Sequence, residues 1–418
     1  MSIKAYKYRI YANTTTTGKL CGVLKRCRHL YNAALQERRD AYEIKVKRHP
    51  GYYDEETRKE LTRDYAVGYY EQKRALVEVK EICPEYQEIA SHVLQDVVLR
   101  VKKAYDTFFR RVKNGETPGY PRFQGSNRYD SFSYPDGAGW KLDRKSRPPN
   151  KKGMVRANLK LTTIGTVKLH LHRDMAGEIK TLTIKREGEH WYACFTCEMD
   201  KPEPLPASYE DVGIDLGVTH FAALSNGEFI EAPRHYRKAE KKLKKLQESL
   251  SCKKRGSHRR SRAVKRIAKA HLKIRNQRQD FAHKASRRLV NQFQVIVLED
   301  LKTANLLKRP KPKQDEATDQ YVPNGASAKA GLNKSISDAG WSSFVELCTY
   351  KAAWAGRTLL KVNPSKTSQI CPNGGTVRKK ALEERWHSCE CGCELDRDTA
   401  SAKVILDLGR KHLWSGRG

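Results

Sequence analysis

Asp211-Val212-Gly213-Ile214-Asp215-Leu216-Gly217 is an apolar strand with one carboxylate, Asp215, set inside it. An acid in that position is costly unless it is paired or faces a cation. The glycines on either side are expected to let a substrate backbone approach closely. Downstream, Phe221-Ala222-Ala223-Leu224-Ser225-Asn226-Gly227-Glu228-Phe229-Ile230 carries the Asn-Gly pair of a tight hairpin. Val295-Ile296-Val297-Leu298-Glu299-Asp300 is an unbroken apolar run ending in acids, the pattern of a strand buried on both faces. Trp341 to Ala355 reads as a helix and Leu359 to Val362 as a further strand. A last helix starts near Asp398, with Val404, Ile405 and Leu408 on one face. This mixture specifies an α/β core.

Three carboxylate positions recur in that core: Asp215 within a strand, Glu299 at a strand end, and Asp396 or Asp398 just before the last helix. Hydrolysis of a phosphodiester with two metal ions needs such a set around one point. Mg²⁺ takes oxygen ligands in near-octahedral geometry.

Outward from the core, residues 234–290 read as a helical hairpin broken at Gly256-Ser257. Arg234 to Arg288 holds 22 Lys/Arg against 3 acids. The acids needed for pairing along a helix are nearly missing, so Arg259, Arg260, Arg262, Lys265 and Arg266 are expected to face nucleic acid, with a solvated helical hairpin as the alternative. Residues 308–330 read as a loose loop, and Lys201 to Pro206 as a stiff linker. Before the linker, residues 2–11 alternate apolar and basic, which predicts a half-buried strand. Asn13 and the threonines after it mark a helix start, and residues 15–113 read as helical. Val93, Leu94, Val97, Val98, Val101, Tyr105, Phe108 and Phe109 share one stripe, which predicts that the aromatics join the core, with base-stacking platforms as the alternative. Residues 122–200 read as short strands with basic outward faces. A small β-barrel is expected there, with the first strand joining it and the helices inserted.

The 418 residues carry 82 Lys/Arg and 48 Asp/Glu, a net charge of +34. Such an excess repels itself unless a polyanion neutralises it, and nucleic acid is the obvious one. No stretch approaches the roughly 20 apolar residues of a membrane span, and the start lacks an apolar leader, so a cytoplasmic protein is expected. Of the 11 cysteines, Cys371, Cys389, Cys391 and Cys393 crowd together near the end. That is metal-site behaviour in a reducing compartment. Cys194 and Cys197 lie on one predicted strand, whose alternation puts them on opposite faces. Cys371-Pro372-Asn373-Gly374-Gly375 resembles the first half of a zinc ribbon with Gly374 where the second cysteine belongs. His387-Ser388-Cys389-Glu390-Cys391-Gly392-Cys393 resembles the second half. Zn²⁺ wants four ligands. Cys371, Cys389 and Cys391 supply three, and His387 or Cys393 is left for the fourth, with a degenerate, metal-free knuckle as the alternative.

Gly213 to Gly217, then Leu298-Glu299-Asp300, then Asp396-Arg397-Asp398 after a cysteine cluster, resemble the TnpB family, the OrfB-type nucleases of insertion sequences and relatives of type V CRISPR effectors. Lys4 to Arg9, Tyr31 to Leu35, Pro118 to Phe123, Asn276 to Phe281 and Thr367 to Cys371 fit the same family in the same order. The resemblance implies a RuvC-type, RNase H-like nuclease core and a wedge β-barrel with a helical recognition insertion. The implied layout is residues 1–14 for the first barrel strand, 15–115 for the insertion and 116–205 for the barrel. The core with its basic hairpin spans 206–365, a zinc-ribbon-like module for target nucleic acid 366–394, and the closing part of the core 395–418. It implies Asp215, Glu299 and Asp398 as catalytic ligands of Mg²⁺ or Mn²⁺, with Asp396 as the alternative third ligand. The family's D-x-N-A-A helix start reads Asp398-Thr399-Ala400-Ser401-Ala402 here, so Ala400 stands at the Asn position. It further implies a transposon-derived guide RNA, a double-stranded DNA target next to a short flanking motif, and a monomer. Gln95 is the candidate for contacting that motif, with a solvated helix glutamine as the alternative. A guided DNA-binding regulator with a weakened nuclease and a RuvC-type junction resolvase are the competing readings.

Overall fold

The computed structural model describes residues 2–43, 67–126, 128–143, 155–315, 319–381 and 383–415. They group into two compact units, Met1–Asp200 and Lys201–Gly418. The expected helical stretch of 15–113, the strands of 122–200 and the loop of 308–330 each include residues outside the described ones (44–66, 127 with 144–154, and 316–318).

In the first unit, β1 (Ser2–Tyr11) alternates as its sequence demands, with Tyr6, Tyr8 and Ile10 buried. It lies inside a seven-stranded antiparallel sheet with β2 (Ser131–Tyr134), β3 (Trp140–Asp143), β4 (Val155–Leu161), β5 (Gly165–Leu171), β6 (Glu178–Glu187) and β7 (His190–Met199). The order is β2-β6-β7-β1-β5-β4-β3. Cys197 is buried and Cys194 is not, so the two do face opposite sides. Of the expected small β-barrel the structure shows a half-barrel sheet. Its outer strands, β2 and β3, do not pair with each other among the described residues.

The helices explain why the sheet can stay open. Asn13 caps α1 (Thr14–Tyr42), its side chain accepting from Thr16 N at 2.8 Å. α2 (Tyr69–Ile82) and α1 both pack on α3 (Ser91–Lys113), which lies against β2. Arg100 on α3 donates to Ser131 O at 2.7 Å and to Ser133 Oγ at 2.8 Å, with Asp96 beside it at 2.8 Å. A helix covering a sheet edge replaces closure. The apolar stripe of α3 is buried only from Val93 to Val101. Tyr105 and Phe108 are half-buried, Phe109 is 60% exposed, and their rings cluster with Tyr120. Tyr105 packs against the core cluster as expected, while Phe108 and Phe109 do not, and for those two the expectation is corrected, because the buried part of the helix ends at Val101.

In the second unit, β8 (Asp211–Leu216), β9 (His220–Leu224), β10 (Phe229–Glu231), β11 (Val295–Glu299) and β14 (Thr358–Val362) form a five-stranded sheet in the order β10-β9-β8-β11-β14. β11 runs parallel to both neighbours, while β8–β9–β10 is the expected antiparallel hairpin with Gly227 at φ +90° in its turn. Two short strand pairs, β12 (Lys313–Gln314) with β13 (Tyr321–Val322) and β15 (Trp386–Ser388) with β16 (Glu394–Asp396), stand apart.

The basic hairpin is α4 (His235–Ser251) and α5 (His258–Gln292). After a single turn, α6 (Thr303–Leu306), comes α7 (Ala326–Ala339). Its start at Ala326 corrects the loose loop, which was expected to run to residue 330. The remaining helices are α8 (Trp341–Ala355) and α9 (Arg397–Ser415).

Both faces of the sheet are covered. Val212, Ile214, Ile296 and Leu298 share one cluster with Leu289 and Val290 of α5 and Phe344 and Cys348 of α8. Val297 and Val362 pack on the other face with Ile405 of α9. A Cβ on Gly213 would lie 2.1 Å from Ala402 O, and one on Gly409 would lie 2.4 Å from Val297 Cγ2. Only glycine at these two positions lets α9 lie this close to β8 and β11.

Candidate active site and cysteine knuckle

Strand alternation decides where the carboxylates go. Gly213 faces α9, so Asp215, two residues on, faces α9 as well. Val297 faces α9, so Glu299 does too. α9 brings Asp398 to the same place in its first turn. The electrostatics agree with this convergence. Burial, and then the Glu299 and Asp398 charges, push the Asp215 carboxyl up to about 7, against a hydrogen bond from Ser401 and the charge of Arg397. Burial also raises Glu299, against a hydrogen bond from Thr367.

Gathering three like charges in a partly buried place favours protonation or a bound cation. The donor set, three carboxylates and hard oxygens only, suits Mg²⁺ or Mn²⁺. A cleft of about 410 Å³, lined by Leu216, Glu299, Asp300, Trp341 and Lys361 among others, opens beside Glu299.

Asp396 has a separate task. Its Oδ1 accepts from Asp398 N at 2.9 Å and from Thr399 N at 3.1 Å, which is the work of a helix N-cap. Arg397 donates to Ala381 O at 3.2 Å and Glu384 O at 3.1 Å, and its backbone N–H donates to Arg385 O at 2.9 Å. The start of α9 is thus tied to the loop before β15. Thr367, Ser401 and Arg397 were given no role from sequence. Thr367 opens a stretch that matched the TnpB pattern, and that match was the available signal.

The cysteines form one cluster around Cys371. Its ligand atom lies within 4.8 Å of those of Cys389 and Cys391, and equally within 4.8 Å of those of buried His387 and Cys393. Cys371 Sγ and Cys391 Sγ are 3.5 Å apart, and Gly374 N donates to Cys371 Sγ at 3.5 Å. A Cβ on Gly374 would lie 3.4 Å from Cys391 Cβ and Sγ. The position where a ribbon carries its second cysteine does point into the cluster. Hydrogen bonds from the Cys391 backbone and from Thr376 bring the Cys389 thiol down to about 7. His387 is held below the usual histidine range by burial, and then by Lys380 and Arg378, so it is neutral at pH 7. Its Nδ1 contacts Lys380 Nζ, while its Nε2 is buried without a hydrogen-bond partner. A neutral imidazole and several thiols at this spacing fit a tetrahedral zinc ligand set.

Arg259, Arg262, Lys265 and Arg266 are exposed on the first turns of α5. Arg260 is half-buried and donates to Leu250 O and Lys253 O, both at 3.1 Å, so it closes the hairpin turn. Gln95 is half-buried on α3 in the first unit. Among the described residues, no helix is long and apolar enough to cross a membrane.

A mixed sheet covered on both faces, with acids at two adjacent parallel strands and a third on the covering helix, defines the RuvC-like fold of the TnpB and Cas12 nucleases. A family model named OrfB_IS605 and described as "Probable transposase" matches residues 194–309. A Cas12f1-like TNB domain matches 341–405, and the helix-turn-helix domain HTH_OrfB_IS605 matches 1–46. A Streptomyces pristinaespiralis protein named "Putative RNA-guided DNA endonuclease" is 32% identical over 97% of this chain and 89% of its own length. InsQ of Escherichia coli K12, which carries the same description, is 31% identical over 78% of this chain and 76% of its own. The chain belongs to this OrfB_IS605, TnpB-type family. Among solved structures, a Cas12f1–sgRNA–target DNA complex aligns over 97% of this chain and 98% of that one, with TM-score 0.55 at 10% identity. The mini RNA-guided endonuclease CRISPR-Cas_phi3 aligns over 98% and 92%, with TM-score 0.51 at 11% identity. Both share the fold.

Proposed function

We propose that this chain is an RNA-guided DNA endonuclease whose reaction is carried by Asp215, Glu299 and Asp398. The observation that carries the reading is the convergence of three carboxylates on the α9 face of the sheet, where burial, and then the Glu299 and Asp398 charges, push Asp215 up to about 7. These residues would hold Mg²⁺ or Mn²⁺. When bound, such ions activate water and stabilise the leaving oxygen of a phosphodiester.

The carboxylates supply fixed negative charge at one point. Ser401 and Thr367 orient two of them by hydrogen bonds, and the glycine contact at Gly213 seats the helix that brings the third. Arg259, Arg262, Lys265 and Arg266 would carry phosphate contacts to the guide RNA and the DNA duplex, with Arg260 setting the turn that presents them. Gln95 would offer its amide to a base edge of a flanking motif. Zn²⁺ would sit at Cys371, Cys389 and Cys391 as a structural ion, with His387 or Cys393 completing the set. The first unit would serve as the wedge and recognition part for the guide, and the enzyme would act as a cytoplasmic monomer.

The test is the nucleic acid that accompanies the protein from its own host. RNA of one defined sequence, extending into a segment complementary to a cleavable DNA, is the expected finding. Protein that carries no RNA and cuts branched junctions by itself would overturn the reading in favour of a resolvase.

A further inference from the structure

We propose that Thr367 is a positioning residue for the catalytic centre, fixing the Glu299 carboxylate from a turn that the cysteine knuckle holds in place. The proposal rests on the nuclease reading above and adds a residue and a mechanical link to it.

Thr367 Oγ1 donates to Glu299 Oε1 at 2.5 Å. Both side chains are buried, Thr367 at 4% and Glu299 at 8% exposure. Thr367 Oγ1 also lies 3.2 Å from Pro364 O. A hydroxyl has one proton to give, and the shorter contact, to a carboxylate, takes it. A β-branched side chain is stiff about its first torsion, so the hydroxyl arrives pre-aimed. Pinning one carboxylate oxygen turns the other to a fixed direction, which is what a metal-binding acid needs from its hydrogen-bond partner.

The turn carrying Thr367 is held by its own bonds and by the knuckle. Gln369 N donates to Lys366 O at 2.8 Å, Ile370 N donates to the same oxygen at 3.1 Å, and Lys366 is in the left-handed region at φ 63°. Ile370 then bridges to Val377, Arg378 N donates to Gln369 O at 3.0 Å, and Cys371 N donates to Thr376 O at 2.9 Å. At its other end the knuckle runs through β15 and β16 into Asp396, the cap of the helix carrying Asp398. The cysteine module therefore lies in the chain between two residues that orient catalytic carboxylates, Thr367 for Glu299 and Asp396 for Asp398.

The experiment compares Thr367→Val, which keeps shape and loses the hydroxyl, with Thr367→Ser, which keeps the hydroxyl. Two quantities are read on the intact protein–RNA complex: Mn²⁺ affinity by electron paramagnetic resonance, and the Mg²⁺ concentration for half-maximal target cleavage. Thr367→Val should weaken Mn²⁺ binding and raise the Mg²⁺ requirement by about 10- to 100-fold. Thr367→Ser should return both to near the wild-type values, and target-DNA binding should stay unchanged in each. If Thr367→Val does not fold, Thr367→Ala takes its place in the same comparison. Wild-type metal dependence in the hydroxyl-less variant, or equal damage in Thr367→Ser, would overturn the proposal. A wild-type complex that binds Mn²⁺ but cuts nothing would overturn the nuclease reading, while the Mn²⁺ affinities would still decide the role of Thr367.

Discussion

Asp396 caps the helix that carries Asp398, its Oδ1 accepting the backbone N–H of Asp398 at 2.9 Å. The two acids of the Asp-Arg-Asp stretch thereby differ, one accepting backbone N–H groups and the other being the proposed metal ligand. Asp398→Ala should lower cleavage by several orders of magnitude with target binding retained. Asp396→Ala should cost about 1 kcal/mol of stability through removal of the cap and lower cleavage only partly. Single-turnover cleavage and urea unfolding of both variants check this. A dead Asp396→Ala beside an active Asp398→Ala would reverse the assignment.

Asp215 links the site to pH. Its carboxyl is raised to about 7, roughly 3 units above an ordinary aspartate. A raised acid stabilises the fold below its unfolded value, and that contribution is lost as pH rises through the folded value. Without Mg²⁺ or Mn²⁺, the wild type should lose up to about 4 kcal/mol between pH 4 and pH 8 from this group. Asp215→Asn should flatten that loss and be the more stable protein at pH 8. Added Mn²⁺ should raise the melting temperature of the wild type and leave that of Asp215→Asn unmoved. Thermal unfolding across pH, with and without Mn²⁺, reads both effects.

The choice of Asp215, Glu299 and Asp398 rests on their order along the chain and on the TnpB resemblance, and strand alternation adds that the first two share a face. Once Asp211 to Leu216 and Val295 to Glu299 are taken as neighbouring strands, Asp215 and Glu299 must share the face opposite Ile214 and Leu298. The Asn-Gly turn was equally readable, but the expected approach of a substrate backbone to the flanking glycines is corrected, because the backbone that Gly213 admits is that of α9. What was not legible depends on contacts between distant segments. Thr367 meets Glu299 across 68 residues, and Arg260 turns from the solvent-facing role its basic neighbours suggest to the carbonyls of Leu250 and Lys253. Period-2 patterning gives the strands of the first unit but not whether their sheet closes. The stripe from Val93 to Phe109 likewise does not reveal that full burial stops at Val101.

The knuckle yields a gain-of-function test. Gly374 stands where a thiol would enter the cluster, 3.4 Å from Cys391 Sγ as judged from its Cβ direction. Gly374→Cys should raise zinc affinity by at least about tenfold, since thiolates are the favoured ligands of such a site. Cys391→Ser should lower it. Competition with a chromogenic chelator measures both. Equal affinities in all three proteins would show that the cluster does not hold the ion.

Phosphate contacts should dominate nucleic-acid binding, given the +34 charge and the exposed Arg259, Arg262 and Arg266. Affinity should fall with salt at a log–log slope of about −0.7 to −0.9 per neutralised phosphate. Replacing these three arginines by alanine should make the slope shallower by about one for each phosphate that is no longer neutralised. Fluorescence anisotropy over a salt series reads this directly, and an unchanged slope would remove the hairpin from the interface.

The most direct test of the central claim is cleavage by the purified protein–RNA complex of a DNA duplex matched to its bound RNA, with Mg²⁺ supplied or withheld. Cutting should require both the RNA and the metal. It should disappear in Asp215→Ala, Glu299→Ala and Asp398→Ala while each variant still binds the target. Cutting that persists in any of the three, or that proceeds without RNA, would contradict the assignment of this carboxylate site to an RNA-guided nuclease.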